Sequence, residues 1–354
     1  MKNISLLIAL IVSSSIFCQS NDFEKPLQDY ILNHSFNGNI LIQQKDSIIF
    51  SKSYGYANEE FKVPNKLNTR FRIASVTKLF TSVLIYQLVE EGKVKLEDKI
   101  GKHLPEYNGE AKDKVTIYQL LTSTSGLQDY ENKGDEVYEK RLTTDQIVDN
   151  YCSGPLQHVP GEKFNYNNAD FVILGKILES IYKKTFYEIL SQKIIKPLHL
   201  TNTGMFNYSI VDNLAQCYWY NEETKKLERD IPYFVENYYA AGAMYSDVKD
   251  LLTFSNSLHK GKLISKNTLR TLLTPQNNVK DRDNYASGLW VYEYNISDKE
   301  KHKAASRQGN IWGAEAMVLK IFNNDITIII LSNNIGDQGM WDLVWKIKRI
   351  IYKK

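Results

Sequence analysis

Ser75 and Lys78 stand one helical turn apart in a stretch whose other residues are nearly all apolar. The chain runs on through Val76, Leu79, Phe80, Val83, Leu84, Ile85, Leu88 and Val89, and Lys78 is the one charged residue between Arg72 and Glu90. A helix that is apolar on every face is a buried helix. Burial disfavours the ammonium form, so a lysine there becomes a candidate neutral amine able to accept a proton. At this spacing the two side chains share one helix face. The helix start adds free backbone N–H groups and the positive end of the dipole, both suited to a developing oxyanion. Nucleophile, base and anion site would then fall within one turn, as attack on a carbonyl requires. The spacing alone carries little weight, because Ser180/Lys183, Ser246/Lys249 and Ser257/Lys260 repeat it in polar surroundings. An N-cap serine with a lysine reaching water is the plain alternative. The apolar setting is what distinguishes Ser75.

The elements that must hold this pair can be read on either side of it. Residues 39–43 and 47–50, rich in isoleucine and turning at Lys45-Asp46, predict a strand pair. The helix from Val76 to Glu91 stops at Gly92. A second helix follows Thr116, and a third begins at Thr143-Thr144-Asp145-Gln146, which has capping-box form. Further helices are expected over 169–182, 185–195 and 247–258. The chain then returns to strands over 288–294, 303–307, 314–322 and 326–332, with Asn323-Asn324-Asp325 turning an antiparallel hairpin. A last amphipathic helix spans 340–352. Strands at both ends with helices between predict an α+β fold: one antiparallel sheet built from both termini, flanked by helices, with a mainly helical region inserted. The α/β part would take about 22–80 and 260–354, the helical part about 81–259, and the site would lie where they meet.

Lys2 and the apolar run 4–17 read as a cleavable export signal, since the run falls short of the roughly 20 residues that span a bilayer. Cleavage is expected after Cys18, giving a signal peptide at 1–18 and a single domain over 19–354, periplasmic or secreted. Lipid anchoring at Cys18 is the alternative. No later stretch reaches spanning length. Of the 354 residues 43% are hydrophobic, enough for a substantial core, and the net charge of +3 comes without a basic block, which gives no reason to expect nucleic acid. Cys152 and Cys217 remain after cleavage and are either a disulfide or two buried thiols. No Gly-x-Ser-x-Gly elbow and no His-Glu-x-x-His occurs, none of the six histidines sits in a triad setting, and no metal or organic cofactor is implied.

Several stretches, in order, resemble the serine β-lactamase and penicillin-binding protein superfamily, in particular its class C-like branch. The segment Thr69-Arg70-Phe71-Arg72-Ile73-Ala74-Ser75-Val76-Thr77-Lys78 is similar to that family's first motif with its lead-in. Gln119 to Leu127 resembles the helix and loop downstream. Pro160-Gly161-Glu162-Lys163-Phe164-Asn165-Tyr166-Asn167-Asn168 carries a Tyr-x-Asn motif whose lead-in separates it from Tyr56/Asn58 and Tyr130/Asn132. Ala241 to Ser246 and Ile328 to Asn333 match later segments. The resemblance implies a β-lactamase/transpeptidase-like fold and a serine hydrolase acting through an acyl-enzyme on an amide or ester. Ser75 would be the nucleophile, with Lys78 and Tyr166 moving protons and Asn168 bonding Lys78 or a substrate amide. For the third motif, usually Lys-Thr-Gly or His-x-Gly, this chain has Arg307-Gln308-Gly309. Arg307 could fork to a carboxylate, Gly309 would let substrate approach the strand, and the Asn310 N–H would complete an oxyanion hole with that of Ser75. Gln308 removes the family's small hydroxyl residue, which weakens the case for β-lactam and C-terminal D-alanine recognition.

The expected partner is therefore a small-molecule or peptide substrate: a DD-peptidase, D-amino-acid peptidase or esterase reaction, or a weak β-lactamase. A non-catalytic protein that binds a peptide or cell-wall fragment is the rival class, favoured by the altered third motif and by Ser123, where the family often has His. The aromatic run Tyr218, Trp219, Tyr220, Tyr233, Phe234, Tyr238 and Tyr239, with residues 129–141, could line a groove, although core packing is the commoner use of such residues.

Overall fold

The computed structural model describes residues 24–129, 135–221, 223–276, 284–297 and 300–352, so the signal-peptide reading lies outside the described residues. Two strands come from the N-terminal side, β1 (Asn37–Gln44) and β2 (Ser47–Tyr54). Four come from the C-terminal side: β3 (Trp290–Ser297), β4 (Glu300–Ile311), β5 (Ala314–Ile321) and β6 (Ile326–Asn334). They form one antiparallel sheet in the order β3-β4-β5-β6-β1-β2. β6 joins the two halves: Ile330 lies opposite Ile40 on one side and opposite Met317 on the other. Every residue of β6 is buried, which explains its unbroken β-branched run. A strand covered on both faces needs apolar side chains on both.

Helices α1 (Glu24–Asn33), α2 (Thr77–Glu90), α3 (Ala169–Tyr182), α4 (Val248–His259) and α5 (Met340–Ile351) cover the two faces. Leu27 and Ile31 of α1 with Leu343, Val344 and Ile347 of α5 pack on Ile40, Ile42, Ile328 and Ile330. The opposite face, with Ala316, Val318, Ile329 and Leu331, joins the larger core that holds α2, α3 and α4. α2 has the all-round burial its sequence predicts, with only Gln87, Val89 and Glu90 outside the fully buried set.

Some expected elements are changed. The strand expected to end at Arg307 continues to Ile311, so the third motif lies inside β4. The strand expected from Gly288 begins at Trp290, because Gly288 turns the chain at φ +84°. The helix expected over 185–195 breaks into Phe186–Leu190 and a π-helical turn, Ser191–Ile195. Cys152 and Cys217 are both buried and form no disulfide with each other. The aromatic run divides: Tyr218, Tyr238 and Tyr239 are core residues, while Trp219 and Tyr220 are exposed.

Pairing of β3 with β4 ends at Trp290 and Ser306. Beyond Ser306, among the described residues, β4 pairs with β5 alone. Residues 307–311 are thus an open strand edge, and this edge faces the start of α2.

Candidate active site

A small sheet fixes the lead-in to Ser75. Phe71–Arg72 pairs antiparallel with Met244–Ser246, and the Ile73 N–H donates to the Met244 carbonyl at 3.0 Å. The chain then bends sharply. Ala74, fully buried, has φ +47°, a left-handed conformation that a residue with a Cβ adopts at a cost of order 1–3 kcal/mol. Ser75 follows in the tight turn Ala74–Val76, partly exposed, directly before α2.

The Lys78 side chain has no solvent exposure. Its Nζ donates to Asn168 Oδ1 at 2.6 Å and to the Ala241 carbonyl at 3.0 Å, and lies 3.0 Å from Ser75 Oγ. Two of its three directions are therefore held by fixed acceptors, and the third points at Ser75. Tyr166, its ring 5.0 Å from Lys78 Nζ, also reaches the serine, its hydroxyl donating to Ser75 Oγ at 2.9 Å. Arg307 closes the cluster. Its Nε donates to the Ser75 carbonyl at 2.6 Å and its Nη2 donates to the Tyr166 oxygen. The expected fork toward a substrate carboxylate is turned inward, and the Arg307 side chain is only 1% exposed.

Burial dominates the electrostatics of Lys78 and, with the neighbouring Arg307 charge, lowers its pKa; the Tyr166 oxygen pulls the other way without prevailing. For Tyr166 burial acts upward, but Arg307 and Lys78 outweigh it and the phenol is left more acidic than usual. The cluster thus weakens the hold on a proton at both groups that touch Ser75 Oγ, the condition for either to exchange protons near neutral pH.

The loop carrying Tyr166 and Asn168 is held through the residue between them. Asn167 Nδ2 donates to Asp170 Oδ2 at 2.9 Å, and the Asp170 N–H donates back to Asn167 Oδ1 at 2.8 Å. Asp170 is fully buried at the start of α3, and burial raises its pKa well above the carboxylate range. The ring of Trp290 lies 5.8 Å from that of Tyr166 at 29°, and the Arg307 guanidinium lies 5.1 Å from the Trp290 ring. Tyr285 meets Tyr166 edge-on at 6.0 Å. Asp170, Trp290 and Tyr285 were not singled out from sequence. Asn167-x-x-Asp170 at a helix start was a readable capping signal; the two aromatics gave none, because β3 and the turn before it had to be placed first.

Gly309 stands where β4 meets the Ser75 turn. A Cβ there would lie 2.2 Å from the Ile73 carbonyl oxygen and 2.9 Å from the Ser75 nitrogen, all backbone atoms. Only glycine allows this approach. Asn310, next along the open edge, is exposed, and Gln308 lies on the other sheet face, with its Nε2 donating to Glu315 at 3.4 Å. Ser123 is buried behind the site, and the Asn165 N–H donates to its carbonyl at 2.9 Å. Among the described residues no group of three or more histidine, cysteine or carboxylate side chains is placed to hold a metal ion.

An antiparallel sheet assembled from both termini, with a serine, a lysine and a tyrosine gathered where it meets the inserted helices, is the architecture of β-lactamase/transpeptidase-fold proteins. The Beta-lactamase family model matches residues 33–345, and the chain belongs to that family. Protein flp of Staphylococcus aureus is 32% identical over 195 residues, 52% of this chain and 39% of that protein, so the match spans well under half of that relative's length. The teichoic acid D-alanine hydrolase of Staphylococcus aureus is 27% identical over 312 residues, 88% of this chain and 73% of the relative. Among solved structures, D-amino acid amidase from Ochrobactrum anthropi SV3 has the same fold, with a TM-score of 0.82 at 21% identity, covering 94% of this chain and 99% of the other.

Proposed function

We propose that the chain is an exported serine hydrolase that cleaves an amide or ester through an acyl-enzyme on Ser75, with D-aminoacyl esters and amides as its substrate class. The reading rests on one observation above the others: Ser75 Oγ lies 3.0 Å from Lys78 Nζ and 2.9 Å from the Tyr166 hydroxyl, beneath a buried arginine. The names of relatives that act on D-alanine esters and D-amino acid amides support the substrate class. Export follows from the N-terminal signal at 1–18, with a single domain over 19–354 and a periplasmic or secreted destination. Retention by a lipid on Cys18 is the alternative.

In the proposed reaction the substrate carbonyl sits between the Ser75 turn and the open edge of β4. Ser75 Oγ attacks the carbonyl carbon as its proton passes to Tyr166, whose phenolate Arg307 stabilises, or to the neutral Lys78 amine. Backbone N–H groups of Ser75 and Asn310 hold the oxyanion. The carbon–nitrogen or carbon–oxygen bond breaks, Tyr166 protonates the leaving group, and the acyl group stays on Ser75. Water then attacks the ester, its proton returning through the same groups to Ser75. Lys78, anchored by Asn168 and Ala241, keeps the Ser75 hydroxyl aimed.

A fluorophosphonate probe tests the reading, followed by side-by-side hydrolysis of p-nitrophenyl esters, D-alanine amides and a chromogenic cephalosporin. Label on Ser75, lost together with turnover in a folded Ser75→Ala variant, is the expected result. A wild-type protein that takes no label yet binds cell-wall fragments would make it a binding protein instead.

A further inference from the structure

A cavity of about 520 Å³ opens beside the far end of β5, on the sheet face that carries α4. It is lined by Lys320 near the end of β5, by His259 and Lys260 where α4 ends, and by Lys266, Leu269 and Arg270 of the following helix, Lys266–Leu272. Lys320 lies four residues along β5 from Ala316, the partner of Gly309, which puts the cavity about 13 Å from the third motif at about 3.3 Å per residue.

Four cationic side chains converge here. Lys320 is nearly buried and held by Asp325 and Thr327, its Nζ donating to Thr327 Oγ1 at 3.1 Å. Lys260 pairs with Asp46 at 2.9 Å. Lys266 and Arg270, one turn apart with Leu269 between them, share a helix face and have no ion pair among the described residues. Two acids against four cations leave a net charge of about +2 around a concave space, which like-charge repulsion would not assemble without return. His259 supplies the second observation. Its Nδ1 is buried without a hydrogen-bond partner among the described residues, while its ring rests edge-on against Phe322 at 5.4 Å. Burial and the Lys320 charge hold that imidazole down to about 3, so it is neutral, and the residue is part of the cavity lining.

We propose that this cavity is an anion site that takes a phosphoryl group, bound by Lys266, Arg270 and Lys320. Phosphoryl oxygens accept several charge-assisted hydrogen bonds at once, as a spread of lysine and arginine donors requires. Leu269 and Phe322 give it an apolar wall, and the volume exceeds that of one phosphoryl group, so a small organic phosphate fits as well as free phosphate.

The test follows the His259 ring by NMR, its signals assigned with His259→Gln, while inorganic phosphate, glycerol 3-phosphate or phosphatidylglycerol vesicles are added in turn. An anion beside the imidazole stabilises its charged form, so either soluble phosphate is expected to shift the signals saturably and to raise the pH at which they titrate. The tighter of the two identifies the source. Lys266→Ala with Arg270→Ala is expected to weaken binding at least tenfold, whereas Lys249→Ala, an exposed lysine at the other end of α4, is expected to leave it unchanged. Thermal unfolding of each variant beside the wild type serves as the check that these variants are folded. No shift beyond that in chloride of matched ionic strength overturns the proposal. So does vesicle binding without a response to either soluble phosphate, because a flat cationic surface would then suffice.

Discussion

Arg307 touches both the carbonyl of the proposed nucleophile and the phenol beside it, and a guanidinium keeps its charge at any physiological pH. That charge lowers the pKa of Tyr166 and also that of Lys78. Whichever of the two accepts the Ser75 proton, removal of the charge raises its pKa and reduces the proton-accepting form at a fixed pH. Arg307→Gln is therefore expected to move the acidic limb of the kcat/KM profile to higher pH, and each unit of movement costs about tenfold below that limb. Arg307→Lys keeps a charge without the fork and is expected to fall between the two. A pH–rate series on a p-nitrophenyl ester reads this directly, and an unmoved limb with a uniform loss would make Arg307 merely structural. Lys78 was legible because a lone charge in an apolar helix demands a reason. The inward turn of Arg307 was not, because it depends on a strand register that no local pattern carries.

At the scale of elements, the site is the meeting of the α2 start with the open edge of β4. The strand is expected over 303–307; the ladder with β5 carries it on to Ile311, through a glycine that strand propensity does not favour. The strand pair at the N-terminus and the helices over 144–151 and 169–182 were legible, since alternation, capping residues and apolar periodicity agree there. The π-helical turn after Leu190 was not, because its bonding answers to packing rather than to propensity. Gly309 makes the meeting testable. A Cβ at that position strikes the backbone of Ile73, Ser75 and Val76, so β4 must withdraw from the Ser75 turn. Gly309→Ala is expected to lower kcat/KM on the order of 100-fold through misplacement alone. Thermal unfolding run beside the assay should show a much smaller effect, since the strand keeps its ladder with β5; a variant with full activity would place the substrate elsewhere.

In the whole molecule both termini meet in one sheet, and α5 closes the face that Ser75 does not use. Its Lys348 is 3% exposed, with no hydrogen-bond partner for Nζ among the described residues. The amine instead lies 3.2 Å from the centre of the Tyr294 ring and 3.8 Å from that of Trp345. Those rings return part of the lost hydration to an ammonium, yet burial still pulls its pKa down to about 7. In the unfolded chain a lysine keeps its proton to about pH 10.4. Between those two values the unfolded chain binds more protons than the folded one, so this residue makes stability rise with pH across that window. Below pH 7 the fold carries the full cost of an unpaired buried charge. Lys348→Met, similar in length and uncharged, removes that cost. The urea midpoint of the variant is expected to exceed that of the wild type at pH 6 to 7, with the gap narrowing toward pH 10. A gap that stays constant with pH, or a loss at pH 6, would mean that the two rings hold the ammonium at least as tightly as water does.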